Sequence, residues 1–124
     1  MGVFKVRVEI FNLQDPDTSE EVEMTVDTGA TYPVIPRTVA ERLSIEPAES
    51  RTFTLADGRR ISRDLGWAGV SYDGRRSPSL VVLGEEDDIP LLGAFALEGL
   101  GLEADPVGRS LRPATQYLLF LPVI

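Results

Sequence analysis

Asp27-Thr28-Gly29-Ala30 is the segment of this sequence best suited to chemistry. Val22, Met24 and Val26 alternate with polar residues just before it, and Val34-Ile35 follows it. A half-buried strand therefore delivers a carboxylate into a tight turn. Gly29 lets the chain turn and leaves space beside the carboxylate, whose oxygens then lie close to backbone donors. Thr28 is placed to hydrogen-bond within the turn or across an interface. The same residues also make an ordinary polar turn, since Asp, Thr and Gly are common there. The rest of the composition narrows the choice. There is no His and no Cys, so a Ser-His-Asp triad, a Cys-His pair and the ordinary His/Cys zinc sites are excluded. The one lysine, Lys5, stands near the start and is poorly placed for a Ser-Lys dyad. Carboxylates, hydroxyls, arginines and the backbone remain.

The chain has 124 residues, enough for one domain with its own core. Its net charge of −8 argues against a nucleic-acid partner, which is bound largely through Lys and Arg. An apolar share of 43% is that of a globular protein. No apolar stretch approaches the roughly 20 residues of a membrane span. The opening MGVFKVRVEI alternates and lacks the apolar core of a secretory signal. With no disulfide possible either, the expectation is a cytoplasmic protein without a membrane partner.

Stepping outward from the turn, most of the chain reads as strand. Val3–Phe11 places Phe4, Val6, Val8 and Ile10 on one face. Gln14–Ser19 is a polar turn cluster, and Glu21–Val26 alternates again. Pro36–Leu43 reads as a short helix with Val39, Ala40 and Leu43 on one side. Ser50–Ala56 and Arg59–Leu65 are strands joined through Asp57-Gly58; Gly66–Tyr72 and Arg75–Leu83 are joined through Asp73-Gly74. Asp-Gly between alternating runs is a strong hairpin signal. Ile89–Gly93 is a short apolar run, Ala94–Leu100 a two-turn helix closed by Gly99 or Gly101, and Leu102–Asp105 and Leu111–Leu121 the final strands. The prediction is an all-β domain over 1–124 with two short helices.

This order of pieces resembles the retropepsin-like aspartic proteases, in particular small bacterial members. The matching residues are Thr25-Val-Asp-Thr-Gly-Ala-Thr31, the hairpin around Ala56-Asp57-Gly58, and Pro90-Leu-Leu-Gly-Ala94 with Leu97, Leu100 and Gly101. The resemblance implies a closed, barrel-like acid-protease fold with a core of about 3–105 and a C-terminal strand extension over 106–124. It implies an aspartic endopeptidase in which Asp27 is catalytic, Thr28, Gly29 and Ala30 form the active-site turn, and Ala56, Asp57 and Gly58 form the tip of a flap. Tyr32, following the turn, is a candidate for the substrate pocket. Neither cofactor nor metal is implied; the partners are a peptide or protein substrate and a second copy of the chain. Peptide hydrolysis by this route needs two carboxylates sharing one proton, and the sequence holds a single Asp-Thr-Gly. A homodimer would supply the second Asp27. The competing reading is a non-catalytic module that uses the same fold for dimerisation or peptide binding.

Two departures stand out. Viral relatives pair an Asp after the turn with an Arg after the apolar-apolar-Gly; here those positions are Thr31 and Ala94, so both charges are missing together. The apolar run Gln116–Leu121 extends past the region of resemblance and reads as a buried or interface strand. Trp67 is expected in the core. Glu85-Glu86-Asp87-Asp88 is expected to be a solvated loop with at most weak affinity for a cation, and Arg59, Arg60, Arg63, Arg75 and Arg76 to offset part of the acidic charge.

Overall fold

The computed structural model describes residues 4–118. Strands β1 (Lys5–Asn12) and β2 (Asp15–Val26) form a long antiparallel hairpin with Val8 opposite Val22. Its inward face is the predicted one, with Val8, Ile10, Val22, Met24 and Val26 buried. The turn is shorter than predicted, because Asp15–Ser19 already belongs to β2. Asn12 Oδ1 accepts the backbone N–H of Gln14 at 2.7 Å and of Asp15 at 3.2 Å, which closes the reversal early.

Strand β3 (Val34–Pro36) leads into helix α1 (Arg37–Arg42), with Pro36 at its N-cap. Strands β4 (Glu49–Thr54), β5 (Arg60–Tyr72) and β6 (Arg75–Gly84) form an antiparallel meander. Between β5 and β6, Asp73 (φ 50°) and Gly74 (φ 79°) are both left-handed, as a two-residue hairpin turn requires. The β4–β5 loop is longer: Leu55 O accepts the Gly58 N–H at 2.9 Å and only Gly58 is left-handed. The predicted break at Leu65/Gly66 is absent. Strand β5 runs through because β6 pairs along Asp64–Tyr72 while β4 supports one end and β1 the other.

Strand β7 (Leu91–Leu92), helix α2 (Ala94–Leu100), β8 (Leu102–Asp105) and β9 (Ser110–Pro113) complete the described chain. Helix α2 ends, as anticipated, at a left-handed Gly101 with φ 71°. Pairings run β1–β2–β7–β3–β6–β5 and return to β1, so the strands close into a ring with β4 attached outside at β5. Inside lie Met24, Ile35, Val70, Leu83 and Leu92, all buried, covered by Val39 and Ala40 of α1 and Leu97 and Leu100 of α2. A smaller cluster of Leu65, Leu80 and Val82 packs with Tyr32, Val34 and Phe53. The fold is all-β with two short helices, as expected.

Two expectations fail. Trp67 is 52% exposed. On β5 it shares the phase of Leu65, whereas the main core takes Ala68 and Val70 from the opposite face. The last strand stops at Pro113 instead of continuing through Leu121. Its partner β8 is four residues long, and Ala114 donates to Gly101 O at 2.9 Å, so nothing extends the ladder. Tyr117 and Leu118 are exposed, not buried; the remainder of the anticipated strand lies outside the described residues. No helix among the described residues is long and apolar enough to cross a membrane.

Candidate active site

Asp27 stands where β2 ends. Its N–H donates to Leu92 O at 3.1 Å, and Thr25 N–H donates to Pro90 O at 3.0 Å. The two residues of β7 thus lie parallel to the end of β2, and Leu91 also pairs antiparallel with Val34 of β3. Strand β7 sits between the strand that enters the turn and the strand that leaves it. The turn is anchored again on the start of α2, where Ala94 N–H donates to Ala30 O at 2.8 Å and Phe95 N–H to Thr31 O at 2.9 Å. Gly93 permits this approach: a Cβ there would stand 2.8 Å from the carbonyl oxygens of Ala30 and Tyr32. The missing charges at Thr31 and Ala94 therefore leave no orphan, because backbone bonds join the same two segments.

Within the turn, Gly29 N–H donates to Asp27 Oδ1 at 2.9 Å and Ala30 N–H to Asp27 O at 3.1 Å. The second carboxylate oxygen accepts nothing from the described residues. Thr28 makes no side-chain hydrogen bond among them either, and both Thr28 and Gly29 are exposed. Asp27 opens onto two grooves. One, of about 540 Å³, carries Thr28 and is lined mainly by apolar residues including Phe4, Leu97, Leu102 and Ala104. The other, of about 520 Å³, runs from Asp27, Gly29 and Ala30 past Tyr32 to the β4–β5 hairpin, with Phe53, Ile61, Val82 and Leu91 in its walls.

Tyr32 lines the same groove as Asp27. The hairpin tip is not part of the groove lining: Leu55 reaches it, while Ala56, Asp57 and Gly58 are exposed beyond it. At that tip the Arg59 backbone N–H and guanidinium hold the Asp57 carboxyl below its usual range, with an Arg59 Nε–Asp57 Oδ2 distance of 2.7 Å.

Sequence reasoning missed three groups. Phe53 and Ile61 are signalled only by the alternation of their strands. Asp88 is not solvated as expected. It takes Arg63 Nε and Nη2 at 2.7 and 3.0 Å, with side-chain exposures of 24% and 18%, and it accepts Glu85 N–H at 2.8 Å. The Arg63 guanidinium is the main cause holding the Asp88 carboxyl below the usual carboxylate range. The acidic loop is thus tied to the groove rim, and no acidic cluster among the described residues is arranged to hold a metal ion. Arg51 is the third: its Nη1 donates to the Tyr32 hydroxyl at 2.9 Å.

Two solved viral proteases share this architecture. The EIAV protease, solved with the inhibitor HBY-793, is 20% identical, with a TM-score of 0.58 over 78% of this chain and 86% of that one. The simian foamy virus (mac) protease is 18% identical, with a TM-score of 0.53 over 76% of this chain and 91% of that one. A retropepsin-like aspartic protease from Rickettsia conorii is 21% identical, with a TM-score of 0.48 over 85% and 94% of the two chains. No curated protein sequence matches. The fold is that of the retropepsin-like aspartic proteases. The chain belongs to the family described as gag-polyprotein putative aspartyl protease, whose model matches residues 18–98.

Proposed function

We propose that this protein is an aspartic endopeptidase whose active site is assembled from the Asp27 residues of two identical chains. The observation that carries this reading is the setting of Asp27. Its Oδ1 is held by the Gly29 N–H in an exposed turn, its other oxygen accepts from none of the described residues, and it lies at the end of a groove that the β4–β5 hairpin helps to line. A single chain offers one such carboxylate, and the exposed Thr28 beside an apolar groove gives a second copy a place to meet it.

In the assembled site the two carboxylates share one proton. The ionised one takes a proton from a water molecule as its oxygen attacks the scissile carbonyl carbon, while the protonated one donates to the carbonyl oxygen. The tetrahedral diol then collapses, the C–N bond breaks, and the amine leaves with a proton from the dyad. Arg63–Asp88 stiffens the groove rim, and the β4–β5 hairpin covers the substrate backbone.

The test is cleavage of a peptide library by the parent chain and by Asp27→Asn, with oligomeric state followed by analytical ultracentrifugation. Parent activity, loss of at least about a thousandfold in Asp27→Asn, and a dimer in both support the reading. A parent that binds peptides without cleaving them favours the non-catalytic module, and a variant as fast as the parent removes Asp27 from the mechanism.

A further inference from the structure

We infer that Tyr32, in the groove beside Asp27, and Arg51, which donates to its hydroxyl, together form a subsite that takes one hydrogen-bond-accepting side chain, a carboxylate or carboxamide. The inference rests on the peptide-binding role of the groove beside Asp27 given above and names a class of substrate for it.

One part of the wall of this groove is aliphatic and aromatic: Val34, Phe53, Leu55, Ile61, Val82 and Leu91. Arg63, Asp87 and Asp88 also line the groove, and Tyr32 adds a polar tip on an apolar body. Its ring is held in place. It packs edge-on against Phe95 at 5.5 Å between centroids, and the Arg51 guanidinium lies 5.6 Å from its centre. Phe95 is itself 40% exposed, so the ring is confined from that side only in part.

The hydroxyl has a defined hydrogen-bonding state. A tyrosine hydroxyl has one hydrogen to give and lone pairs to accept with. Arg51 Nη1 occupies it as an acceptor at 2.9 Å, and the hydroxyl donates to none of the described residues. Its hydrogen is therefore free for a ligand. Arg51 is fixed in turn by Glu49, which accepts from Nε, so the guanidinium is pinned between a carboxylate and a phenol. Its remaining N–H groups stay available on a side chain 42% exposed. A phenol O–H and a guanidinium edge, preset side by side, match an acceptor oxygen of Glu, Asp, Gln or Asn. A site whose polar groups must be paired rejects an apolar side chain that leaves them empty more strongly than an apolar wall rejects a poor fit.

Binding separates this subsite from catalysis. The Asp27→Asn protein is titrated with fluorescent decapeptides that differ at one position at a time, carrying Leu, Gln or Glu. At one position Gln, Glu or both are expected to bind about tenfold more tightly than Leu. Glu above Gln assigns the selection to the Arg51 charge, and equal binding assigns it to the Tyr32 hydrogen bond. Added to the Asp27→Asn background, Tyr32→Phe and Arg51→Ala should each reduce the preference to less than threefold by weakening the Gln and Glu peptides more than the Leu peptide. Arg51→Lys should restore part of it. No preference at any position, a preference that survives both substitutions, or no peptide binding at all overturns the subsite. Cleavage by the parent chain without such a preference removes the subsite alone; the preference in a parent that does not cleave removes the peptidase reading alone.

Discussion

Gly29 donates its backbone N–H to Asp27 Oδ1 at 2.9 Å, and a Cβ on Gly29 would stand 3.2 Å from that same oxygen. The hydrogen bond that orients the carboxylate and the absence of a side chain beside it are one arrangement. Gly29→Ala keeps the N–H and adds only the methyl group, so the carboxylate must move by a few tenths of an ångström. Turnover is expected to fall about tenfold to a hundredfold, since small misplacements of reacting groups are costly. The melting temperature should stay within a few degrees of the parent, because the residue is exposed. Parent-like turnover would show that carboxylate placement is not set by this turn.

Acid should weaken the fold through Asp88. Its folded-state carboxyl is held below the usual range, chiefly by Arg63, so the unfolded chain takes up the proton first. The stabilisation is complete above the unfolded value, about pH 4, and is lost as pH falls through the depressed folded value. Asp88→Asn should cost about 1–2 kcal/mol at pH 7, as expected for a partly exposed charged hydrogen bond. The gap between the two proteins should narrow toward pH 3 in urea titrations. A gap of constant size across that range would place the acid sensitivity elsewhere.

Catalysis, if it follows the dyad, should decline from acid toward alkali. Two neighbouring carboxylates cannot both ionise cheaply, and the active form keeps one proton between them. Association adds a second dependence, because two chains of −8 each repel one another and salt screens that repulsion. At low protein concentration the rate should therefore rise with salt. At saturating protein the salt effect should vanish and the pH effect remain. A rate at saturating protein that climbs steadily from about pH 5 to pH 9 is incompatible with a one-proton dyad.

The C-terminal segment is expected to support the association. Tyr117 and Leu118 are 78% and 96% exposed in the single chain, an uncommon place for adjacent large apolar side chains. Deleting residues 116–124 should shift the protein toward monomer in light scattering, or make it insoluble. A truncated chain that remains soluble and dimeric would locate the contact elsewhere.

Much of this was legible in the residues because it is local. The alternation of Val22, Met24 and Val26 sets which side of β2 is buried, and with it the direction in which Asp27 leaves the strand. Asp73-Gly74 specifies its turn outright. The site's neighbours are less legible because they are made by register across strands. Arg51 meets Tyr32, and Arg63 meets Asp88, only after β4 and β5 have paired and β6 has brought Leu83 opposite Asp64. An acidic run such as Glu85–Asp88 looks solvated until one of its members finds a cation far away in sequence. Trp67 is exposed for a related reason. Size and hydrophobicity favour burial, but the phase of its strand had already been claimed by Ala68 and Val70.

The position of β7 has a temporal consequence. Asp27 is set against Leu92, and its turn against Gly93 and Ala94, so the setting of the carboxylate draws on residues adjacent in the ring but far apart in sequence. Closing so long a loop is entropically slow compared with forming either hairpin. As the chain leaves the ribosome, Asp27 emerges before Leu91–Ala94, with its turn sequence intact but without the strand and glycine that hold it. A fragment ending before Leu91 carries the aspartate and lacks its scaffold. The site is therefore among the last parts of the ring to be completed, and an unfinished chain has no ordered carboxylate to offer a second one.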